Sequence, residues 1–255
     1  MNRIQSKGLY LWQFENLGRF GDIQHFVTDR NTAKEEFTLS LSSLPDREVV
    51  IENRRRLAEA LDVSPSHLFF PSQVHETRIV EVTTRTTTAE LQHTDALVCS
   101  ERGVCIAVMS ADCVPILLFD TRNNAVAAVH SGWRGTVAKI LEKTLDHMRS
   151  RFGTRGEDVV AGIGPSVSQD SYEVGGEVIA EVKRAFGDEG ELLLEQSENK
   201  ARLDLWKANR LQLLEFGVPE SHIEISDLCT VKENHHFFSA RKGDSGRFAA
   251  GIMLR

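Results

Sequence analysis

The order of hydrophobic and polar positions along the chain predicts short buried strands mixed with amphipathic helices. Apolar residues recur at helical spacing in four segments, which are 46–61, 136–152, 176–186 and 203–216. Short apolar runs bounded by turn residues predict strands at 67–75, 104–110, 114–120, 125–130, 159–164, 222–226 and 247–254. The two kinds of element do not alternate strictly, as they do in a doubly wound fold. We therefore expect an α+β fold in which mixed sheets are covered by helices.

The chain has 255 residues and contains no linker, low-complexity tract or internal repeat. Its 6 prolines and 18 glycines punctuate the sequence without clustering, so we expect one domain over residues 1–255. No apolar run approaches the roughly 18 residues needed to cross a bilayer. The first residues lack the apolar stretch and cleavage site of a signal peptide, so a cytoplasmic protein is expected.

Charge and cysteine usage narrow the function classes. The formal net charge of −7 argues against a nucleic-acid-binding protein, because neutralising phosphates needs a basic face. The four cysteines include no CxxC pair, which disfavours both a disulfide framework and a structural zinc ribbon. Cys99 and Cys105 lie in apolar runs and are expected to be buried.

Three ligand-type residues stand at the ends of apolar runs: His75, Cys113 and His130. Strand ends deliver side chains into clefts, and two imidazoles with one thiolate suit a catalytic zinc with an open position. Asp112, directly before Cys113, is a candidate for proton transfer. The alternative is that the histidines are hydrogen-bonded structural residues and that the aspartate caps a turn.

The turn after His130 reads Ser-Gly-Trp-Arg-Gly over residues 131–135. Its glycines permit tight backbone geometry, and the start of the following helix can offer free N–H groups to an anion. Arg134 adds a guanidinium suited to phosphate. The alternative is a strand-to-helix turn with an exposed arginine.

Several segments occur together in a characteristic order: QVHETRIV, TDALVCS, SADCVPILLFD, AVAAVHSGWRGTV, GIGPSVSQDSYEVG, LDLWKANRLQLLEFGV and DLCT followed by FFSARKGDSGR. They resemble the polyphenol oxidase/laccase-domain family, which includes purine nucleoside phosphorylases and peptidoglycan editing factors. The resemblance spans residues 50–255. It implies His75, Cys113 and His130 as metal ligands and a fold similar to that of cysteine hydrolases of the toxin deamidase type.

The chain departs from the family pattern at three places. Glu76 follows the ligand histidine where the family often has glycine, and Asp170-Ser171 stands where a Cys-Cys pair is common. The early Thr-Arg-x-Gly-Gly element is replaced by TDRNTAKEE, residues 28–36. These departures leave the three ligands in place. Because the early element differs from the family pattern, the resemblance predicts no substrate contacts from this loop.

The resemblance implies a zinc-dependent purine nucleoside enzyme. Such an enzyme phosphorolyses adenosine, inosine, guanosine or methylthioadenosine to base and ribose 1-phosphate, and deaminates adenosine to inosine. We expect Asp112, Cys113 and Arg134 to take part in catalysis. The substrate-binding residues are then Gln73, Arg134, Tyr172 and Arg241. Nucleosides and phosphate are the expected partners, without nucleic acid or membrane.

Other readings stay open. A four-copper oxidase needs many histidines, commonly in His-x-His pairs, whereas this chain has nine histidines and no such pair, so zinc is favoured over copper. A metal-free cysteine hydrolase or amidase would use Cys113 as nucleophile and His130 as base. A non-enzymatic or peptidoglycan-editing role is the third reading.

Overall fold

The computed structural model describes residues 1–32, 35–41, 47–187, 191–197 and 199–255. The described residues form five α-helices: α1 (Arg47–Ala60), α2 (Trp133–Val137), α3 (Ile140–Phe152), α4 (Gly176–Phe186) and α5 (Leu205–Phe216). They also form fifteen strands: β1 (Asn2–Ser6), β2 (Leu9–Gln13), β3 (Ile23–Thr32), β4 (Leu68–Phe69), β5 (Ile79–Glu81), β6 (Ala96–Cys99), β7 (Cys105–Ser110), β8 (Val114–Asp120), β9 (Ala125–Ser131), β10 (Val159–Ile163), β11 (Glu173–Gly175), β12 (Leu193–Ser197), β13 (Lys200–Leu203), β14 (Ile223–Ile225) and β15 (Phe248–Leu254). None of the described helices is long and apolar enough to cross a membrane.

Two six-stranded sheets carry the fold. The first sheet has the order β1-β2-β3-β15-β7-β4, and the second has the order β14-β10-β8-β9-β6-β5. Most neighbours are antiparallel, but β4 with β7, β5 with β6, and β10 with β14 are parallel. A separate three-stranded sheet, β11-β13-β12, contributes to the same apolar core as the second large sheet. The expected α+β class with mixed sheets is confirmed.

Three apolar cores hold the layers together. Residues of β7 and β15 pack against residues of β6, β8 and β9 between the two large sheets, among them Val108, Ile252, Leu117 and Phe119. The other face of the second sheet packs against α3, α4 and α5. The other face of the first sheet packs against α1 and the segment around Phe37. The result is a helix–sheet–sheet–helix stack with sheets buried on both faces, which explains the continuous apolar runs of β7, β8 and β9.

Most predicted elements are confirmed, with ends shifted by a residue or two. The strands predicted at 104–110, 114–120, 125–130, 159–164, 222–226 and 247–254, and the helices at 176–186 and 203–216, are all present. The helix predicted at 46–61 is α1, although position 46 lies outside the described residues. Positions 33 and 34 of the TDRNTAKEE element also lie outside them. Cys99 and Cys105 are buried, as expected.

The strand predicted over 67–75 is wrong in extent, because only β4 forms there. After β4, the backbone N–H groups are paired with the buried side chain of Asp95 and not with a neighbouring strand. The N–H groups of Val74, His75 and Glu76 donate to the carboxylate of Asp95. The side-chain amide of Gln73 exchanges two hydrogen bonds with the backbone of Met109. An apolar-looking run therefore becomes a loop that is held by tertiary hydrogen bonds.

The helix predicted over 136–152 is two helices, α2 and α3, because Lys139 adopts a left-handed conformation with φ of 59°. The side chain of Gln212 in α5 bridges the break. Its amide donates to the carbonyl of Thr136 and accepts from the N–H of Glu142. A partner from another helix thus satisfies groups that a continuous helix would pair internally. The periodicity of the segment contains no sign of this contact.

Candidate metal centre

The pairing register of the second sheet explains why distant residues meet at one edge. Strands β8 and β9 are antiparallel with Val114 opposite Ser131, so Cys113 and His130 come to the same end of the pair. Ala96 of β6 lies opposite Val129, which brings Asp95 beside His130. Ile79 of β5 pairs with Ala96, so the loop carrying His75, which leads into β5, ends at this edge as well.

Cys113 lies in the connection that crosses from the first sheet to the second. Strand β7 ends at Ser110 and β8 begins at Val114, which leaves residues 111–113 to change sheets. Asp112 turns the chain with φ of 89°. The hydroxyl of Ser110 donates to the carbonyl of Cys113 and closes the turn. This tight connection fixes the direction of the thiol.

The structure brings the three predicted ligands together. One ligand atom from each of His75, Cys113 and His130, hereafter the ligand cluster, lies within 4.8 Å of the others. Cys113 Sγ is 3.8 Å from His75 Nε2, and the two imidazole centroids are 4.9 Å apart. His130 is buried, Cys113 is half-buried and His75 is exposed, so the cluster opens to solvent on the His75 side.

Gly132 forms part of the wall of this cluster. A Cβ at this position would lie 2.9 Å from Cys113 Sγ and 3.1 Å from a ring carbon of His75. Its backbone has φ of −70° and ψ of 173°, a conformation open to any residue, so the requirement for glycine is one of space. The space kept free adjoins a soft thiolate and an imidazole, the donor types that zinc accepts. The residues present therefore fit a metal.

Asp95 is the residue of this site that sequence reasoning missed. It is fully buried, and its Oδ1 lies 2.8 Å from Nδ1 of His130. The same carboxylate accepts the N–H groups of residues 74–76. A usable sequence signal was present, because an aspartate stands directly before the fully buried strand β6, and buried carboxylates require partners.

The cluster polarises its own thiol. Burial by itself raises the pKa of the Cys113 thiol, but the charges and hydrogen bonds of His130 and His75 outweigh it, so that the pKa is lowered overall. Burial by itself lowers the pKa of His130, and the neighbouring Cys113 and Asp95 reverse this, so that its pKa is raised. The pair thus favours a thiolate beside an imidazolium, and a thiolate is the form that both binds metal and acts as a nucleophile.

Two other predicted residues are engaged in hydrogen bonds within the protein. Asp112 is buried, and its carboxylate accepts from the hydroxyl of Thr230 at 2.6 Å and from the backbone N–H of Arg241 at 2.8 Å. Both polar atoms of the Gln73 amide hold the backbone of Met109 at 2.8 Å. The carboxylate of Asp112, the residue before Cys113, is thus held by Thr230 and Arg241, and the amide of Gln73 is held by Met109.

Arg134 is the predicted binding residue that lines the opening beside His75. An open pocket of about 550 Å³ is lined by His75, Glu76, Thr77, Arg78, Arg134 and Ala138. The exposed guanidinium of Arg134 lies 4.3 Å from the centre of the Trp133 ring. Helix α2 has only five residues, so any anion affinity here falls to the Arg134 side chain more than to the helix end.

Tyr172 and Arg241 pack against each other and are not among the residues that line this pocket. The Arg241 guanidinium lies 4.6 Å from the centre of the Tyr172 ring and donates to the carbonyl of Glu173. Burial and the negative charge of Cys113 raise the pKa of Tyr172 to about 12. The phenol is therefore a neutral hydrogen-bond donor within electrostatic reach of the cluster.

Comparison with known proteins agrees with the fold. A family model described as "Multi-copper polyphenol oxidoreductase laccase" matches residues 24–255. A purine nucleoside phosphorylase of Bacteroides thetaiotaomicron is 40% identical, with 94% of this chain and 95% of the relative covered. The adenosine deaminase RL5, from an unknown prokaryotic organism, is 38% identical, with 81% and 82% covered. The crystal structure of YlmD from Geobacillus stearothermophilus superposes with a TM-score of 0.90 at 31% identity, with 99% and 98% covered. The chain therefore belongs to the multi-copper polyphenol oxidoreductase laccase family.

Proposed function

We propose that the chain is a metal-dependent purine nucleoside enzyme that phosphorolyses nucleosides and also deaminates adenosine. The observation that carries the proposal is the His75, Cys113 and His130 cluster at the edge of an open pocket whose wall holds Arg134. Relatives named purine nucleoside phosphorylase and adenosine deaminase, at 40% and 38% identity, support the substrate class.

His75 and His130 would hold the metal by ring nitrogen, and Cys113 would hold it as thiolate. A zinc ion held there would supply Lewis-acid chemistry that stabilises developing negative charge. Two imidazoles and one thiolate match a zinc site with three protein ligands. This is the one group of three such side chains found among the described residues, so the ligand set favours a single zinc over the several copper ions of a true laccase.

In phosphorolysis, a phosphate oxygen forms a bond to ribose C1′ while the bond from C1′ to the purine nitrogen breaks and the base takes up a proton. We propose that Arg134 binds the phosphate, since a guanidinium offers a forked pair of donors. We propose that the Tyr172 phenol donates a hydrogen bond to the substrate; Arg241 is stacked against its ring. Gln73 would contribute to substrate binding indirectly, because its side chain ties the loop that carries His75 to Met109.

In deamination, water adds at purine C6 and the exocyclic amine leaves as ammonia, so protons must move from the water to the leaving group. Asp112 is the candidate proton carrier, because it adjoins Cys113 and each carboxylate oxygen keeps a second lone pair beyond its observed hydrogen bond. The relative named adenosine deaminase RL5 favours this second activity.

The proposal is tested by measuring bound metal and incubating the protein with adenosine in the presence and absence of phosphate. We expect adenine and ribose 1-phosphate only with phosphate, and inosine with ammonia in either case. Removing the metal with a chelator should abolish both activities, and adding zinc back should restore them. A zinc-loaded protein that turns over no purine nucleoside would contradict the proposal.

A metal-free cysteine hydrolase is the second candidate, favoured by the thiolate character of Cys113 and by the Asp95–His130 hydrogen bond, which resembles the base-orienting pair of a catalytic triad. The effect of replacing His75 distinguishes the two candidate functions. If Cys113 binds metal, Cys113→Ala and His75→Ala should each lose both metal and activity. If Cys113 is a nucleophile, His75→Ala should keep substantial activity, and a covalent adduct should be trapped on Cys113.

A further inference from the structure

The position of Asp95 at the ligand cluster calls for a physical account. Its carboxylate is completely buried, and within the described part of the chain its one ion-pair partner is His130. It accepts four hydrogen bonds: from Nδ1 of His130 at 2.8 Å and from the backbone N–H groups of Val74, His75 and Glu76 at 3.1, 3.0 and 2.9 Å. A buried carboxylate is stable in its charged form only if hydrogen bonds and an ion pair compensate for the lost hydration.

We propose that Asp95 is the positioning residue that presents both imidazoles to the metal, an inference that rests on the metal site of the proposed function. Toward His130 it acts directly. By accepting the proton on Nδ1, it leaves Nε2 as the nitrogen free for the metal, and a carboxylate behind a ligating imidazole also makes that ring a stronger donor.

Toward His75 the same carboxylate acts through the backbone. His75 has φ of 65°, in the left-handed region that non-glycine residues seldom occupy. Three successive N–H groups turned toward one carboxylate hold the chain in this conformation and aim the imidazole at Cys113. One buried side chain therefore sets the separation of two ligands that lie 55 positions apart in sequence.

The test is the substitution Asp95→Asn. Asparagine keeps the shape but replaces one acceptor oxygen by an N–H donor, so either the loop or His130 meets a donor where it needs an acceptor. We expect zinc affinity, measured by competition with a chelator, to fall about 10–100-fold. Amide hydrogen exchange of residues 74–76 should also become faster, a readout that does not depend on metal or activity.

The matched control is Asp120→Asn. Asp120 is also fully buried and accepts the backbone N–H groups of Arg122 and Asn123, but it lies at the other end of β8 from Cys113. This change should loosen its own turn while leaving zinc affinity and exchange at 74–76 as in the wild type. A folded Asp95→Asn protein that binds zinc as tightly as the wild type would overturn the inference.

If Asp95→Asn does not fold, the wild-type protein still decides. In the zinc-loaded protein with ¹⁵N-labelled histidine, NMR should show the His130 ring proton on Nδ1 and protected from exchange; a proton on Nε2 would overturn the inference. If the wild type binds no zinc, the proposed metal site fails by itself. The exchange of residues 74–76 then decides on Asp95, and unchanged exchange in Asp95→Asn would count against it.

Discussion

At the scale of single residues, the ligand cluster depends on the absence of a side chain at Gly132. Gly132 and Gly175 each precede a helix in nearly the same extended conformation, with φ of −70° and −92°. A Cβ on Gly132 would strike Cys113 and His75, whereas nothing lies within 4 Å of a Cβ on Gly175. Alanine substitutions at Gly132 and Gly175 therefore distinguish the effect of an added methyl group on the ligand cluster from its effect on the backbone.

We predict that Gly132→Ala weakens zinc binding by about tenfold or more, since it forces two ligands apart. Gly175→Ala should leave zinc affinity unchanged. Chelator competition on both variants, with circular dichroism as the check on folding, measures the difference. Equal zinc affinity in Gly132→Ala and the wild type would show that the metal is not held in this space.

Arg134 is predicted to bind phosphate. Because a guanidinium offers two parallel donors and an ammonium does not, Arg134→Lys should raise the KM for phosphate, and Arg134→Ala should raise it further. The loss of one charged hydrogen bond costs on the order of 1.5–3 kcal/mol, roughly a tenfold to hundredfold effect. Adenosine deamination should suffer less, because it uses no phosphate.

The control is Arg122→Ala, an exposed arginine in the turn after β8, away from the ligand cluster. It should leave the KM for phosphate unchanged. Unaltered phosphate dependence in Arg134→Ala, with the fold intact, would return Arg134 to a surface role.

At the scale of elements, the β2–β3 pair contains a histidine that must stay neutral. His25 in β3 is buried, and its Nε2 accepts the N–H of Phe14 at 2.8 Å, which only an unprotonated nitrogen can do. Burial lowers the pKa of His25 to about 4, from 6.5. In the unfolded chain the ring takes up a proton as the pH falls below 6.5, whereas in the folded chain it does so only near 4. The stability that this neutral ring contributes is therefore complete above pH 6.5 and is lost as the pH falls toward 4.

We predict that His25→Gln flattens this part of the pH dependence. Between pH 7 and pH 4 the free energy of unfolding should fall by about 3 kcal/mol less in the variant than in the wild type. Urea unfolding at the two pH values measures it. His235→Gln is the control, because that side chain is mostly exposed whereas His25 is buried. The same slope in His25→Gln and the wild type would contradict the assignment.

The success of sequence reasoning also differs from element to element. Strands buried on both faces, such as β8 and β9, are continuous apolar runs and were predictable to within a residue. Strand β1 reads Asn-Arg-Ile-Gln-Ser and is almost entirely exposed, so no hydrophobic pattern marks it. The break at Lys139 and the loop after β4 depend on Gln212 and Asp95, which approach from distant parts of the chain. Such elements are set by tertiary partners and have no local signal.

At the scale of the whole molecule, the placement of the site follows from sheet register. The candidate ligands could be chosen from the sequence because they end apolar runs, but their meeting at one edge required the order β8-β9-β6-β5. Asp95 illustrates the limit. Its residue type is visible in the sequence, whereas its role depends on Ala96 lying opposite Val129. Geometry on this scale is fixed only when all the layers have packed.

Strand β15 has a consequence for how the molecule assembles in time. It lies between β3 and β7, so residues 248–254 fill the middle of a sheet whose other strands lie within residues 2–110. During synthesis, the facing edges of β3 and β7 therefore stay unpaired until more than a hundred further residues have been made. Contacts of such long sequence separation slow folding, and exposed strand edges invite pairing with other chains. The three residues of the ligand cluster, by contrast, all lie between positions 75 and 130, so they have been synthesised well before β15.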